Sequence, residues 1–303
     1  MYMKKTVFIG SVISSKIALE TLIESNVSID LVCSLDEEAS KNVSDYYPIH
    51  EIAARNKVPY IKFKKINDSE IINEIREINP NFIFVIGLSQ IISQDILNLA
   101  TEYCIGFHPT PLPKYRGRAA IPWQIILGVK NSKISLFKLD QGMDSGDIIY
   151  QYPYDINETD YAMDVYTKVC DAMRNALAIC IPDMYSDSVD FIKQDDNEAT
   201  YLLVRRPDDG HIDWMLSGKQ IETLIRATSR PYPGAFSYYK DNRVIFWKAR
   251  IEENKKYIGI PGQIAWTNDQ NEIGIITIDS LLVVSEYEVL GNDTTLIVGH
   301  KFK

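Results

Sequence analysis

The chain has 303 residues and a formal net charge of −9. Its 46% hydrophobic and 24% charged residues are typical of a globular protein with room for two cored domains. The negative charge argues against a broad nucleic-acid surface, and no apolar run reaches the roughly 18 residues of a membrane span.

The first half of the chain alternates short apolar runs with helical patterns, which predicts an α/β domain with a parallel sheet covered on both faces. The predicted strands are Thr6–Ile9, Ile29–Cys33, Tyr60–Phe63, Phe82–Ile86 and Cys104–Phe107. The predicted helices are Ser15–Ser25, Pro48–Asn56, Asp68–Ile78 and Gln94–Ala100. The turn after the first strand lacks the GxGxxG pattern, so no bound dinucleotide is inferred.

The second half begins with a predicted strand at Asp147–Tyr152 and a long helix from Thr159 to Met184. Helix Ser217–Thr228 ends at a proline-rich turn. From Ala235 onward, alternating segments about ten residues apart predict a small β-barrel or sandwich. Its strands are Phe236–Tyr239, Val244–Ala249, Gly262–Trp266, Ile273–Ile278 and Leu281–Glu286.

The four cysteines are scattered, with no CxxC pair and no histidine at metal-ligand spacing. They are Cys33, Cys104, Cys170 and Cys180. Their places in predicted strands and in the long helix favour reduced core thiols, which suits the cytoplasm. We therefore expect no metal site.

Residues 106–118, Gly-Phe-His-Pro-Thr-Pro-Leu-Pro-Lys-Tyr-Arg-Gly-Arg, carry the strongest chemical signal. His108 ends an apolar run and is held by three prolines in the next five residues. Asp144 follows in the glycine-containing turn Met-Asp-Ser-Gly at 143–146. A fixed imidazole with a carboxylate to orient it is what general acid–base chemistry needs. His108 is the best candidate among four histidines.

These motifs, together with those at residues 79–92, 205–210 and 230–235, resemble the formyltetrahydrofolate-dependent formyltransferases over nearly the whole chain. The resemblance implies a Rossmann-like parallel-sheet catalytic domain in residues 1–205 and an OB-like β domain in residues 206–303. It also implies transfer of a formyl group from N10-formyltetrahydrofolate to a primary amine, without a metal.

The family's catalytic set is an asparagine, a histidine and an aspartate. His108 and Asp144 stand at the matching positions, as the general base and the residue that orients it. The asparagine precedes the histidine by two residues in the family, and this chain has Gly106 there. The absence of this asparagine removes a hydrogen-bond donor to the formyl oxygen. Loss of a donor of this kind lowers the reaction rate on the order of 10²–10³-fold.

The resemblance also implies the binding residues. The folate's pterin is expected at the loop after the fourth strand and at the turn near Asp144, through Ile86, Gly87, Leu88, Ser89, Gln90, Leu139, Asp140 and Met143. Arginine forks suit phosphate oxygens. A phosphorylated substrate is therefore expected at Lys114, Tyr115, Arg116, Arg118, Arg205 and Arg206.

Three functions stay open, led by a sugar-nucleotide N-formyltransferase that formylates a nucleotide-linked 4-amino-4,6-dideoxysugar or similar amino sugar for polysaccharide biosynthesis. A methionyl-tRNA formyltransferase is the second, but Ser34–Pro48, the stretch that is basic in those enzymes, holds four acids and one lysine. A folate- or nucleotide-binding protein without catalysis is the third, favoured by Gly106. A homodimer also stays open.

Overall fold

The structure is a computed structural model that describes residues 4–291 and 295–303. The chain divides into two compact units. The first unit holds the described residues up to Ala120, with Asn131–Asp155 and Thr167–Leu203. The second holds Ile121–Lys130, Ile156–Tyr166 and the described residues from Val204 onward. Within the described residues, no helix is both long and apolar enough to cross a lipid bilayer.

The first unit is built on five strands and four helices that alternate along the chain, as the sequence predicts. The strands are β1 (Thr6–Gly10), β2 (Ile29–Leu35), β3 (Tyr60–Phe63), β4 (Phe82–Ile86) and β5 (Tyr103–His108). The helices are α1 (Ile13–Glu24), α2 (His50–Arg55), α3 (Ser69–Ile78) and α4 (Gln94–Leu97). Asp68 precedes α3, which ends at the left-handed Asn79 before Pro80, so the predicted stop is confirmed.

Six further elements follow along the chain. They are β6 (Arg116–Gly117), α5 (Ala120–Ile126), β7 (Asn131–Lys138), β8 (Ile148–Asp155), α6 (Ala162–Tyr185) and β9 (Tyr201–Leu202). None of the predicted elements covers α5 or β7. Polar and apolar residues partly alternate in β7, which is the pattern of a half-buried strand.

The main sheet has the order β3-β2-β1-β4-β5-β7-β8. The predicted parallel arrangement is confirmed for β1 to β5. At the edge, for which the sequence predicted no strand direction, β7 runs antiparallel to β5 and β8 antiparallel to β7. Antiparallel neighbours need only a short connection, and residues 139–147 supply it. The same residues contain the predicted catalytic aspartate.

The second unit contains α7 (Gly218–Thr228) and a five-stranded antiparallel sheet. Its strands are β10 (Ala235–Tyr239), β11 (Asn242–Glu252), β12 (Ile264–Thr267), β13 (Ile273–Ile276) and β14 (Leu281–Leu290). Their order is β10-β11-β14-β13-β12. Ile221 and Ile225 of α7 pack in one apolar core with Phe246 and Leu282 of the sheet. The expected small all-β region is thus confirmed, with one helix against it.

Candidate active site

His108 is the last residue of β5, a strand inside the seven-stranded sheet. The residue is buried, with 6% of its surface exposed. Its ring atom Nε2 lies 2.8 Å from the main-chain oxygen of Tyr115. Because a carbonyl oxygen only accepts, Nε2 carries the hydrogen, and Nδ1 holds the lone pair of the neutral ring. Nδ1 is therefore the atom that can accept a proton.

Asp144 lies in the β7–β8 connection and approaches that nitrogen. The distance from Asp144 Oδ2 to His108 Nδ1 is 3.7 Å, which suits an ion pair and exceeds a good hydrogen bond. The same Oδ2 accepts a 2.8 Å hydrogen bond from the main-chain N–H of Gly117. The structure thus brings the predicted catalytic pair together. The hydrogen bond to Tyr115 orients the ring, and Asp144 places negative charge beside Nδ1.

The turn after His108 presents the Tyr115 carbonyl to the imidazole. The Thr110 hydroxyl donates to the main-chain oxygens of Lys114, at 2.9 Å, and Tyr115, at 3.3 Å. The Ser135 hydroxyl, from the residue opposite His108 in β7, donates to the Thr110 carbonyl at 2.7 Å. Neither hydroxyl residue was predicted to act here. The position of Thr110 between two prolines is the sequence feature that could have indicated this role.

Gly106 lies inside β5, opposite Phe137 of β7. A Cβ added there would stand 2.6 Å from Leu139 Cδ2 and 2.8 Å from Phe137 Cζ. The main-chain bond from Leu139 N–H to the Cys104 oxygen marks a hydrogen-bonded pair of the ladder. Since such pairs alternate, Gly106 N–H is directed to Phe137. Neither the N–H nor the side-chain space of Gly106 is thus free to replace the family's asparagine.

Arg116 is a predicted substrate-binding residue that the structure buries, with 2% of its surface exposed. Its guanidinium donates to Gln194 Oε1 at 2.8 and 3.2 Å and to Asp196 Oδ1 at 2.9 Å. A further contact of 3.4 Å reaches the Tyr201 hydroxyl. These partners engage its donors and hold the chain in place, and a role of Arg116 in substrate binding stays a prediction.

The other cations of the loop are exposed. Arg118 and Lys114 both lie on the surface, and Arg118 Nη2 is 3.3 Å from the main-chain oxygen of Ser89. Arg118 therefore links the segment after His108 to the predicted folate loop. Tyr115 is half-buried and has φ of 64°, a left-handed conformation that non-glycine residues seldom adopt.

Arg205 and Arg206 belong to the second unit. Arg205 donates to the Asp209 carbonyl at 2.7 Å, and its guanidinium carbon lies 5.0 Å from the centre of the Trp123 ring. Burial lowers the pKa of Arg205 from its ordinary value. The Arg206 side chain is exposed, and its main-chain N–H donates to the Asp209 carboxylate. Their role in substrate binding stays a prediction.

The predicted folate loop, Ile86 to Gln90, packs tightly against the β1–α1 turn. Gly87 has φ of 67°, and a Cβ there would stand 2.3 Å from Val12. The Ser15 hydroxyl donates to the Ile86 carbonyl at 2.5 Å. Leu88 packs, partly buried, on the core of the first unit.

Two of the predicted folate-loop residues have their polar groups engaged. Gln90 donates to the Lys64 carbonyl at 2.8 Å and accepts from the Ile66 N–H at 2.9 Å, so its side chain fixes the loop. Ser89 presents its carbonyl to Arg118.

The predicted folate residues of the β7–β8 connection line or adjoin a cavity of about 340 Å³. Leu139 and Asp140 form part of its wall, with Leu97 and Tyr103. Asp140 accepts hydrogen bonds from Gly142 N–H and the Ser145 hydroxyl, and Met143 is exposed nearby in the chain. No residue of the loop from Ile86 to Gln90 lines this cavity, and folate binding by Leu139, Asp140 and Met143 stays a prediction.

Among the residues that the structure describes, no group of three histidine, cysteine or acidic side chains could hold a metal ion. Gln194 is a further contributor that the sequence did not indicate, because its amide contacts the Asp144 segment from 48 and 50 residues away. A lone glutamine in a polar stretch gives no sequence signal.

A buried imidazole and a carboxylate at the end of a strand in an α/β sheet define a site for acid–base group transfer. The chain belongs to the formyl transferase family, whose main domain matches residues 4–181 and whose C-terminal domain matches residues 205–295.

Two relatives show its similarities in sequence. The chain is 32% identical over 223 residues to the bifunctional polymyxin resistance protein ArnA of Wigglesworthia glossinidia brevipalpis, which covers 74% of this chain and 34% of that protein. This chain therefore spans about a third of that relative's length. It is 30% identical over 253 residues to the methionyl-tRNA formyltransferase of Caldanaerobacter subterraneus subsp. tengcongensis, which covers 82% of both chains.

A solved structure supports the fold. The N-formyltransferase from Helicobacter canadensis, determined with folinic acid and dTDP-3-aminofucose, superposes with a TM-score of 0.66. The match covers 94% of this chain and all of the other, at 17% identity. At this identity the likeness concerns the fold alone.

Proposed function

We propose that the protein transfers the formyl group of N10-formyltetrahydrofolate to the amine of a nucleotide-linked amino sugar, such as a 4-amino-4,6-dideoxysugar. The observation that carries this proposal is the pair formed by His108 Nδ1 and Asp144 Oδ2, 3.7 Å apart. The exposed cations Lys114 and Arg118 follow in the same loop and suit a diphosphate.

The chemistry needs one proton acceptor and one oxyanion donor. N10-formyltetrahydrofolate supplies the formyl carbon when bound. As the new C–N bond forms, His108 Nδ1 takes a proton from the attacking amine, and Asp144 stabilises the resulting imidazolium. His108 then returns the proton to the leaving N10 atom as the old C–N bond breaks.

Without the family's asparagine, the formyl oxygen needs another hydrogen-bond donor. Because Gly106 N–H is directed to the sheet and Phe137 and Leu139 crowd its Cβ position, the protonated Nδ1 of His108 is the donor that we assign to this oxygen. One group then serves two roles, which predicts a slower enzyme than relatives with a separate donor.

Two further features support a small substrate in the cytoplasm. Carboxylates of the 34–48 segment pair with two lysines: Glu37 with Lys62 of β3 at 3.0 Å, and Glu38 with Lys64, just after β3, at 2.5 Å. These pairs neutralise lysines that an RNA backbone would need. The cysteines are free and buried, and burial raises the pKa of Cys104 to about 12, as suits inert thiols in a reducing compartment.

Methionyl-tRNA formyltransferase remains the second candidate, because a relative of that name matches 82% of this chain. Release of tetrahydrofolate from N10-formyltetrahydrofolate, measured with a panel of UDP-, dTDP- and GDP-linked amino sugars and with initiator methionyl-tRNA, separates the two. We expect release that depends on one sugar nucleotide. Release driven only by the tRNA, with steep salt dependence, would reverse the assignment. Folate binding without release under any condition would favour a non-catalytic protein.

A further inference from the structure

Gln194 lies beyond the main family match, which ends at residue 181, and before the C-terminal match, which begins at residue 205. It is buried, with 7% of its surface exposed. Two residues earlier, Ile192 exchanges main-chain hydrogen bonds of 2.8 and 3.0 Å with Ile148 of β8. The segment is therefore fixed against the sheet before it reaches the active-site loop.

The Gln194 amide spans the site from the Asp144 turn to Arg116. Its Nε2 donates to the main-chain oxygens of Asp144, at 2.9 Å, and Gly146, at 2.7 Å. Its Oε1 accepts both bonds from Arg116. Because one end faces two carbonyls and the other a guanidinium, only one orientation of the amide satisfies all partners.

The Asp144 turn has a conformation that needs such support. Asp144 has φ of 51°, in the left-handed region that costs a non-glycine residue free energy. Gly146 packs so closely that an added Cβ would stand 1.9 Å from the Lys138 oxygen. On the far side, the Asp144 carboxylate reaches Gly117 N–H, next to Arg116 in β6.

β6 is itself fixed by the segment that carries Gln194. It pairs in parallel with β9, and Arg116 N–H donates to the Thr200 oxygen at 2.9 Å. Residues 194–202 thus fix both sides of the contact between Asp144 and Gly117. Gln194 binds the main chain of Asp144, and pairing with β9 fixes β6, which contains Gly117.

We propose that Gln194, backed by Arg116, is a positioning residue that fixes the Asp144 carboxylate beside His108. This inference rests on the proposed function only where it predicts rates. Without the two amide donors, the turn loses its anchor and Asp144 leaves both His108 Nδ1 and Gly117 N–H.

The test uses Gln194→Glu in the full chain. The carboxylate can still accept from Arg116 but cannot donate to the two carbonyls, so the variant isolates the donor end. The matched control is Gln263→Glu in the second unit. Gln263 also joins main-chain groups, donating to Gly299 O at 2.6 Å and accepting from Ile260 N–H at 3.2 Å, outside the proposed site.

The first readout is hydrogen exchange at Gly117 N–H, which needs no substrate. We expect its protection to fall about tenfold or more in Gln194→Glu and to be unchanged in Gln263→Glu. Unchanged protection in Gln194→Glu would overturn the proposal, whatever the enzyme's substrate is.

The second readout is kinetic. We expect kcat to fall on the order of tenfold to a hundredfold, with KM within about twofold, because a misplaced group mainly affects the transition state. In an Asp144→Asn background, Gln194→Glu should add less than about twofold, since both changes remove the same contribution. Additive losses would assign Gln194 a general structural role. A wild-type rate in Asp144→Asn alone would instead refute the proposed role of Asp144, and the exchange result would still decide on Gln194.

Discussion

Gly106→Asn restores the family's asparagine and tests how β5 is packed. The new Cβ would lie 2.6 Å from Leu139 Cδ2 and 2.8 Å from Phe137 Cζ, distances that real Cβ atoms do not show. Phe137 cannot easily move, because it is buried and packs with Leu112 and Ile148. The variant should therefore be destabilised and gain no activity.

The magnitude follows from two costs and one gain. Overpacking costs about 1–3 kcal/mol, and an amide beside two apolar side chains costs about 1–3 kcal/mol more if it stays unpaired. Removing a strand glycine returns about 0.5–1 kcal/mol. The free energy of unfolding should fall by about 1–5 kcal/mol, which lowers Tm by roughly 2–20 °C.

Thermal unfolding and tetrahydrofolate release are the assays. Gly128→Asn is the control, because Gly128 has φ of 67° and no atom within 4 Å of an added Cβ, and asparagine tolerates that conformation. In a Phe137→Leu background, Gly106→Asn should cost less. A Tm for Gly106→Asn equal to that of Gly128→Asn, or a higher transfer rate than wild type, would refute the crowding.

Four further predictions concern single side chains. His108→Ala should lower kcat on the order of 10²–10⁴-fold, and a near-wild-type rate would remove His108 from the mechanism. Arg116→Met should lower the free energy of unfolding by about 1–3 kcal/mol, because it leaves the buried Gln194 oxygen without its hydrogen-bond donor. Arg118→Ala should instead raise KM for the sugar nucleotide. A higher KM in Arg116→Met together with a lower stability in Arg118→Ala would contradict both assignments.

The fourth prediction concerns Glu286, whose pKa is lowered by hydrogen bonds from Arg230 and Lys248. Its contribution, below about 1 kcal/mol at this exposed site, is present above its unfolded pKa near 4.5 and is lost as pH falls through the lower folded value. Glu286→Gln should thus be less stable than wild type near neutral pH and equally stable in acid. If urea unfolding gives the same difference in unfolding free energy at both pH values, the predicted pH dependence is contradicted.

The positions of the first five strands could be predicted because strands that are buried on both faces are continuous apolar segments. β1 and β4, for example, consist almost entirely of apolar residues. β7 was missed because its polar residues break the apolar run, so no prediction was made for the antiparallel edge of the sheet. Strand direction at an edge depends on connections that local pattern does not encode.

The residues of the candidate site likewise include some that could be predicted from the sequence and some that could not. His108 and Asp144 could be predicted because each lies in a short motif whose residue types have a chemical reason. The burial of Arg116 could not, since an arginine in a basic loop has the same local sequence whether it faces solvent or a glutamine 78 residues away. Contacts of that range depend on the tertiary fold.

The most direct test of the central claim follows an isotope-labelled formyl group by NMR, from N10-formyltetrahydrofolate to each nucleotide-linked amino sugar. We predict that the label appears as an N-formyl group on one amino sugar and that His108→Ala abolishes its appearance. If the label stays on the folate or is released as free formate whichever sugar nucleotide is added, the account is contradicted.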